Sequence, residues 1–251
     1  MLIIRKEQIG KFNEAALARF INETIVHIKE FTPAHCEDLG DDTVREVVKM
    51  GIDRARGYGL DKHGPCVLFV EMMFLFGSFF DTDPQYPWGG KILSLSETID
   101  QMELADRLYL KTTEYLDNVA CLEHQQRALE RLNNTNLKEP LKSKEDGIGF
   151  ALDEMVMCLH RIYPEKYEFS GEDAIRKLVR NAINLAEYHL PSVVWGPTLF
   201  SIMSFFLGHK CFSDPQFTWI HKAFNNDGSE EPQIADLVYS KMKEHFKLLI
   251  S

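Results

Sequence analysis

A chain that repeats itself must find a place for the same structural unit twice, and internal repetition organises this sequence. The segment FGSFFDTDPQYPWGGK ends the most apolar stretch of the first half, and LGHKCFSDPQFTWIHK ends that of the second. Asp83-Pro84-Gln85 aligns with Asp214-Pro215-Gln216 and Trp88 with Trp219, a shift of 131 positions. The same shift pairs Gly77 with Gly208, Met72 with Met203, and Leu68-Phe69 with Leu199-Phe200. Upstream it pairs Pro33 with Pro164, Gly40 with Gly171, Asp42 with Asp173 and Arg45 with Arg176. One skipped residue then brings Tyr58 opposite Tyr188, and ADRLYLKTTEYL from Ala105 opposite ADLVYSKMKEHF from Ala235. Reuse of helix caps would account for recurring Asp-Pro and Gly. It does not account for the ordered tryptophan, tyrosine and Leu-Phe matches between them, so the pattern points to duplication.

Each copy reads as a succession of helices. Leu17, Phe20, Ile21, Ile25 and Ile28 fall at the three-and-four spacing of an amphipathic helix, which Pro33 stops. Val44, Val47, Val48 and Ile52 mark a second helix over about residues 42–56, ended by Gly57 and Gly59. A third, over about 64–80, is apolar nearly all round and therefore central. Asp83 with Pro84 reads as an N-cap and first helical position, opening a short fourth helix. A long fifth helix over about 97–132 links the copies. The second copy repeats this order: a helix over 150–162, a capping box at Ser170–Asp173, a core helix near Thr198, the Asp214-Pro215 start and a last helix over 232–249. No segment alternates long enough for a sheet. The expected fold is all-α, two tandem divergent copies of a roughly five-helix unit packed as a pseudo-symmetric pair. The first repeat, with its long linking helix, takes residues 1–135 and the second residues 136–251, joined through the polar LKEPLKSKEDG stretch from Leu137 to Gly147.

Charge narrows the partners. The formal net charge is −10, which argues against nucleic acid, because phosphate binding needs a basic face. Five cysteines without close pairs read as free thiols of a reducing compartment. No signal peptide is legible at the N-terminus. The longest uncharged stretch, LPSVVWGPTLFSIMSFFLG, holds two prolines, two glycines and three serines. Its counterpart in the first half carries Asp61, Lys62, His63 and Glu71, so a buried helix is expected rather than membrane insertion.

No catalytic, metal or cofactor constellation emerges. His63 and Cys66 have an H-x-x-C spacing, but zinc needs three or four ligands and no second pair lies nearby. Asp81 and Asp83 could seed a hard-cation site, yet Phe212 stands opposite Asp81 and the cap explains Asp83. No Gly-rich phosphate loop and no nucleophile elbow occurs. Five residues remain as candidate partner contacts. Glu71 lies in an apolar run where burial requires a partner such as Arg45. Trp195, unlike Trp88 and Trp219, has no matching tryptophan in the other copy. Asp227, Glu230 and Glu231 belong to the acidic NNDGSEEP turn, suited to a basic surface.

MLIIRKEQIGKF, FTPAHCEDLGDDTVREVVKMGIDRARGYGL and FVEMMFLFGSFFDTDPQYPW together resemble a family of small helical bacterial proteins encoded beside type VI secretion and polymorphic-toxin components. The resemblance covers about residues 1–95, and members of that family resemble a single copy. It brings no catalytic residues with it. It implies a bacterial cytoplasmic setting and a partner that is an effector or toxin encoded nearby. Three roles follow as expectations: a non-enzymatic adaptor or chaperone that holds an effector, an immunity protein whose acidity suits a basic toxin, or a helical effector or enzyme. The last would require ionisable residues that converge in a cleft.

Overall fold

A computed structural model describes residues 6–139, 148–225 and 229–248. Every regular element among them is helical, in thirteen α-helices and two 3-10 turns. The first half holds α1 (Lys6–Phe31), α2 (Pro33–Leu39), α3 (Asp41–Gly57), α4 (His63–Phe76), a 3-10 turn (Phe80–Thr82), α5 (Pro87–Leu93), α6 (Gln101–Asn118) and α7 (Leu122–Asn133). The second holds α8 (Ile148–Ile162), α9 (Pro164–Ser170), α10 (Glu172–His189), α11 (Gly196–Leu207), a 3-10 turn (Pro215–Phe217), α12 (Thr218–Phe224) and α13 (Glu231–Leu248). No described helix is long and apolar enough to cross a membrane.

Several helices differ from their sequence-based outlines, each for a local reason. Pro33 and Pro164 end one helix and then open another, because a ring without an N–H fits the first turn of a helix. The short helices α2 and α9 result. The Ser170–Asp173 capping box does not form: Ser170 closes α9, Gly171 takes the N-cap position of α10, and no side chain caps it. The long linking helix is broken in two. Val119 leaves the helix line, and its carbonyl accepts from Tyr163 Oη at 2.7 Å instead of from a following turn. Gln125 Nε2 then donates to the Ala120 carbonyl at 3.0 Å across the gap. The short fourth helix starts at Pro87, not at Pro84, because Asp83 closes the preceding 3-10 turn.

α4 and α11 are the apolar centre. Phe69, Met72, Met73, Leu199, Phe200 and Phe205 are fully buried on them, and the apolar core runs as one cluster from Ile21 of α1 to Phe246 of α13. Both halves therefore share one interior. The tyrosines paired by the sequence alignment have different surroundings: Tyr58 Oη donates to Asp81, whereas Tyr188 is 81% exposed. The five cysteines are unpaired, four of them buried.

The two central helices end against each other. Gly77 and Gly208 close them at φ 94° and 100°, a region open to glycine. A Cβ on Gly77 would stand 2.9 Å from the Leu207 carbonyl oxygen, and one on Gly208 would stand 3.2 Å from that of Phe76. Backbone thus meets backbone at this crossing. Gly77→Ala, combining left-handed strain with the carbonyl clash, is expected to cost about 3 kcal/mol. Gly64→Ala, in open space near the start of α4, should change stability by less than about 1 kcal/mol. Urea titration of the two variants against the parent chain checks both.

Candidate functional site

The glycine crossing is bracketed by two buried carboxylates. Asp214 accepts from the Ser78 backbone N–H at 2.8 Å, from Ser78 Oγ at 2.6 Å and from its own Gln216 N–H at 3.0 Å. Asp83 accepts from the His209 backbone N–H at 2.7 Å and from Gln85 N–H at 3.0 Å. The glutamines cross in the same way. Gln216 Nε2 donates to the Met73 carbonyl at 2.8 Å, and Gln85 Nε2 to the Ser204 carbonyl at 3.1 Å. A shift of 131 residues turns the backbone N–H bond to Asp214 into that to Asp83, and the Gln216 bond into that of Gln85. The Ser78 hydroxyl bond has no equivalent, because His209 stands at that position. Asp214 is the expected N-cap, of a 3-10 turn, whereas Asp83 caps no helix start, that place at α5 falling to Tyr86. Each aspartate ties down the chain that follows the opposite central helix. Burial pushes the Asp214 carboxyl above its ordinary value, while the Ser78 hydroxyl and the Gln216 and Ser78 amides pull it back.

Beside this crossing lies a partly open cavity of about 310 Å³. Phe74, Leu75 and Phe76 of α4, Leu116 of α6, Leu129 of α7 and Phe206 of α11 wall it. Its polar lining includes His35 of α2, Lys166 of α9 and His245 of α13, with Tyr86, Tyr115 and Tyr163. No carboxylate among the described residues lines it. Gln216 fixes His35: its Nε2 has two acceptors, Met73 O and Ser78 Oγ, so Oε1 faces His35 Nε2, which donates at 3.0 Å. His245 packs against Phe217, Trp219 and His35, and burial with the neighbouring His35 lowers its imidazole to about 4.

Lys166 is the deepest cation, only 4% exposed. Its ammonium donates to the Phe205 carbonyl at 2.5 Å and to Tyr86 Oη at 3.3 Å, and lies 4.9 Å from the Phe205 ring centroid. Carbonyl dipole and ring face stabilise the charge, but no ion pair with a described carboxylate does. Burial lowers the ammonium to about 8, with Asp83 partly opposing the shift.

The residues singled out from sequence lie elsewhere. Glu71 on α4 accepts from His27 Nε2 at 2.6 Å, while Arg45 donates to Asn22 instead. Trp195 caps α11, edge-on to Tyr239 and beneath Lys138, whose ammonium is 5.4 Å from the Trp195 ring centroid. Glu231 opens α13 and accepts from Ser192 N–H at 2.8 Å and Oγ at 2.7 Å. The Glu230 backbone N–H donates to Gln233 Oε1 at 3.2 Å. Asp227 lies outside the described residues. The structure thus gathers Trp195, Glu230 and Glu231 around α13 and its approach, and sets Glu71 apart against α1. Of the candidates set aside, Asp81 is held by the Arg54 guanidinium and by Tyr58 Oη at 2.8 Å. His63 rests on the Phe20 ring, and burial pushes the Cys66 thiol up to about 11. Sequence reasoning passed over the cavity residues. A signal was there, since the repeat shift sets His35 opposite Lys166 and Phe74 opposite Phe205.

In comparison with known proteins, no family model matches the chain, nor does any curated protein or solved structure.

Lys166 makes stability depend on alkaline pH. Its ordinary value of 10.5 falls to about 8 in the folded chain. Between these values the unfolded chain holds a proton that the folded chain has released, so the contribution grows as pH rises and is lost as pH falls through about 8. Relative to Lys166→Met, the parent chain should gain on the order of 3 kcal/mol between about pH 7 and about pH 11. Denaturant titrations of both proteins at the two pH values measure this difference.

Proposed function

We propose that this chain is a non-enzymatic adaptor or chaperone for a bacterial effector, acting in the cytoplasm. In this reading it consists of two divergent copies of one helical unit packed as a pseudo-symmetric pair. The matched bonds across Gly77 and Gly208 support the duplicated arrangement. The observation that carries the functional reading is the cavity's apolar rim. Leu75, a wall residue, is 39% exposed. An open apolar hollow with a large exposed side chain at its wall is a surface that another protein covers with gain. A partner segment laid there would bury Leu75 and fill the hollow. The effector as partner follows from the resemblance of the first half to proteins encoded beside secretion and toxin components.

One observation favours an enzyme or effector instead, because six ionisable side chains line the same cavity. Several of them are already occupied with structural work. Tyr163 caps the Val119 carbonyl, Lys166 holds the Phe205 carbonyl and His35 is held by Gln216. Side chains already committed to neighbouring groups are poorly placed to move protons on a substrate, which favours binding over catalysis. The immunity reading draws on the net charge of −10 and needs a basic toxin.

Affinity purification of the chain with the products of its flanking genes, read by mass spectrometry, tests the adaptor reading. Capture of an effector, reduced about tenfold or more by Leu75→Glu, is expected. Capture indifferent to Leu75→Glu moves docking away from the cavity. Gene deletion separates the alternatives: lost effector delivery marks an adaptor, and self-poisoning beside the neighbouring toxin marks immunity. Toxicity of the chain expressed alone marks an effector.

A further inference from the structure

We infer that the cavity beside the glycine crossing reads a carboxylate: it takes an acidic side chain, flanked by apolar residues, from the partner protein, and Lys166 is the group that pairs with it. The inference rests on the cavity being the docking face proposed above and adds the chemistry of its occupant.

The distribution of charge carries the argument. The chain has 38 acidic and 28 basic residues, yet no described carboxylate lines this cavity, while Lys166 and two imidazoles do. Several other lysines sit with acids at their ends, such as Lys29 with Asp41, Lys138 with Asp236 and Lys241 with Glu244. The deeply buried Lys166 has only neutral acceptors, a carbonyl and a phenol. An ammonium carries three protons to donate, and those two acceptors take two of them. A buried cation that no carboxylate touches, with Asp83 acting only from beyond ion-pair distance, bears a desolvation cost that an incoming anion offsets, in a medium where the pair attracts more strongly than in water.

The walls define the rest of the ligand. Phe74, Leu116, Leu129 and Phe206 offer nothing to a polar group, so the anion must arrive on an apolar stem. A phosphate monoester carries nearly two charges, more than the single ammonium of this cavity balances. The exposed Leu75 sets the scale of the occupant: an acid wholly inside about 310 Å³ would leave it in water, whereas a segment of a protein covers it.

A pair of probes tests the chemistry without knowledge of the partner. 4-Phenylbutyrate and its neutral amide have the same stem and differ in the charge offered to Lys166. Binding of each to the full chain is measured by calorimetry, and to Lys166→Met in parallel. The acid should bind about tenfold or more tightly than the amide, equivalent to roughly 1.4 kcal/mol, and Lys166→Met should erase the preference. The acid-to-amide ratio on the unaltered chain stands even where the variant folds poorly. Equal binding of acid and amide, or a preference undiminished in Lys166→Met, overturns the inference and leaves the docking face to be judged by Leu75→Glu. Capture of the effector is then repeated in saturating 4-phenylbutyrate. Lost capture supports a carboxylate supplied by the partner. Undiminished capture overturns that occupant and assigns the cavity to a free organic acid.

Discussion

Two backbone turns, at Gly77 and Gly208, can approach to van der Waals contact only because neither carries a side chain, and the fold is arranged around that contact. The chain after each central helix leaves N–H groups without a helical acceptor, and burial makes an unpaired donor costly. Asp214 takes those of Ser78, and Asp83 takes that of His209. Each half therefore supplies the acceptor that the other half lacks. Neither α4 nor α11 would end as it does without its opposite, so one continuous core follows from the exchange.

The cavity is a consequence of the same crossing. α4 and α11 meet at their ends, and the space beside the contact is bounded by α2, α6, α7, α9 and α13 rather than filled by one large residue. Where the two halves come closest to matching, they differ in the residue that enters this space: His35 from α2 and Lys166 from α9. The imidazole reaches Gln216, whereas the ammonium turns to Phe205 and Tyr86 and leaves Gln85 Oε1 without a partner. The difference between two positions that the 131-residue shift pairs thus gives the cavity an unbalanced charge, and the proposed recognition of an acid depends on that imbalance.

Much of the helical order was legible because helical period, proline and glycine act locally. α3, α8 and α13 fall close to where apolar spacing and helix breakers put them, α11 covers the expected Thr198, and α4 begins as expected but stops at Phe76 where Gly77 turns the chain. The misjudged places depend on partners distant in sequence. The break between α6 and α7 requires Tyr163, over forty positions away, to cap Val119. Asp83 reads as a simple cap until His209 is brought beside it. The candidate contacts were chosen for unusual residue type, yet Glu71 is matched by His27 and Glu231 by Ser192, pairings that no local pattern announces.

The sequence by itself determined that the chain is helical and where its internal similarities lie, since both are written in periodicity and residue order. Only the tertiary structure decided that the aspartates bridge the halves and that Lys166 is buried with no described carboxylate in ion-pair contact. Charge balance and burial are properties of what surrounds a group in space, and the chain brings those surroundings together from helices far apart in sequence.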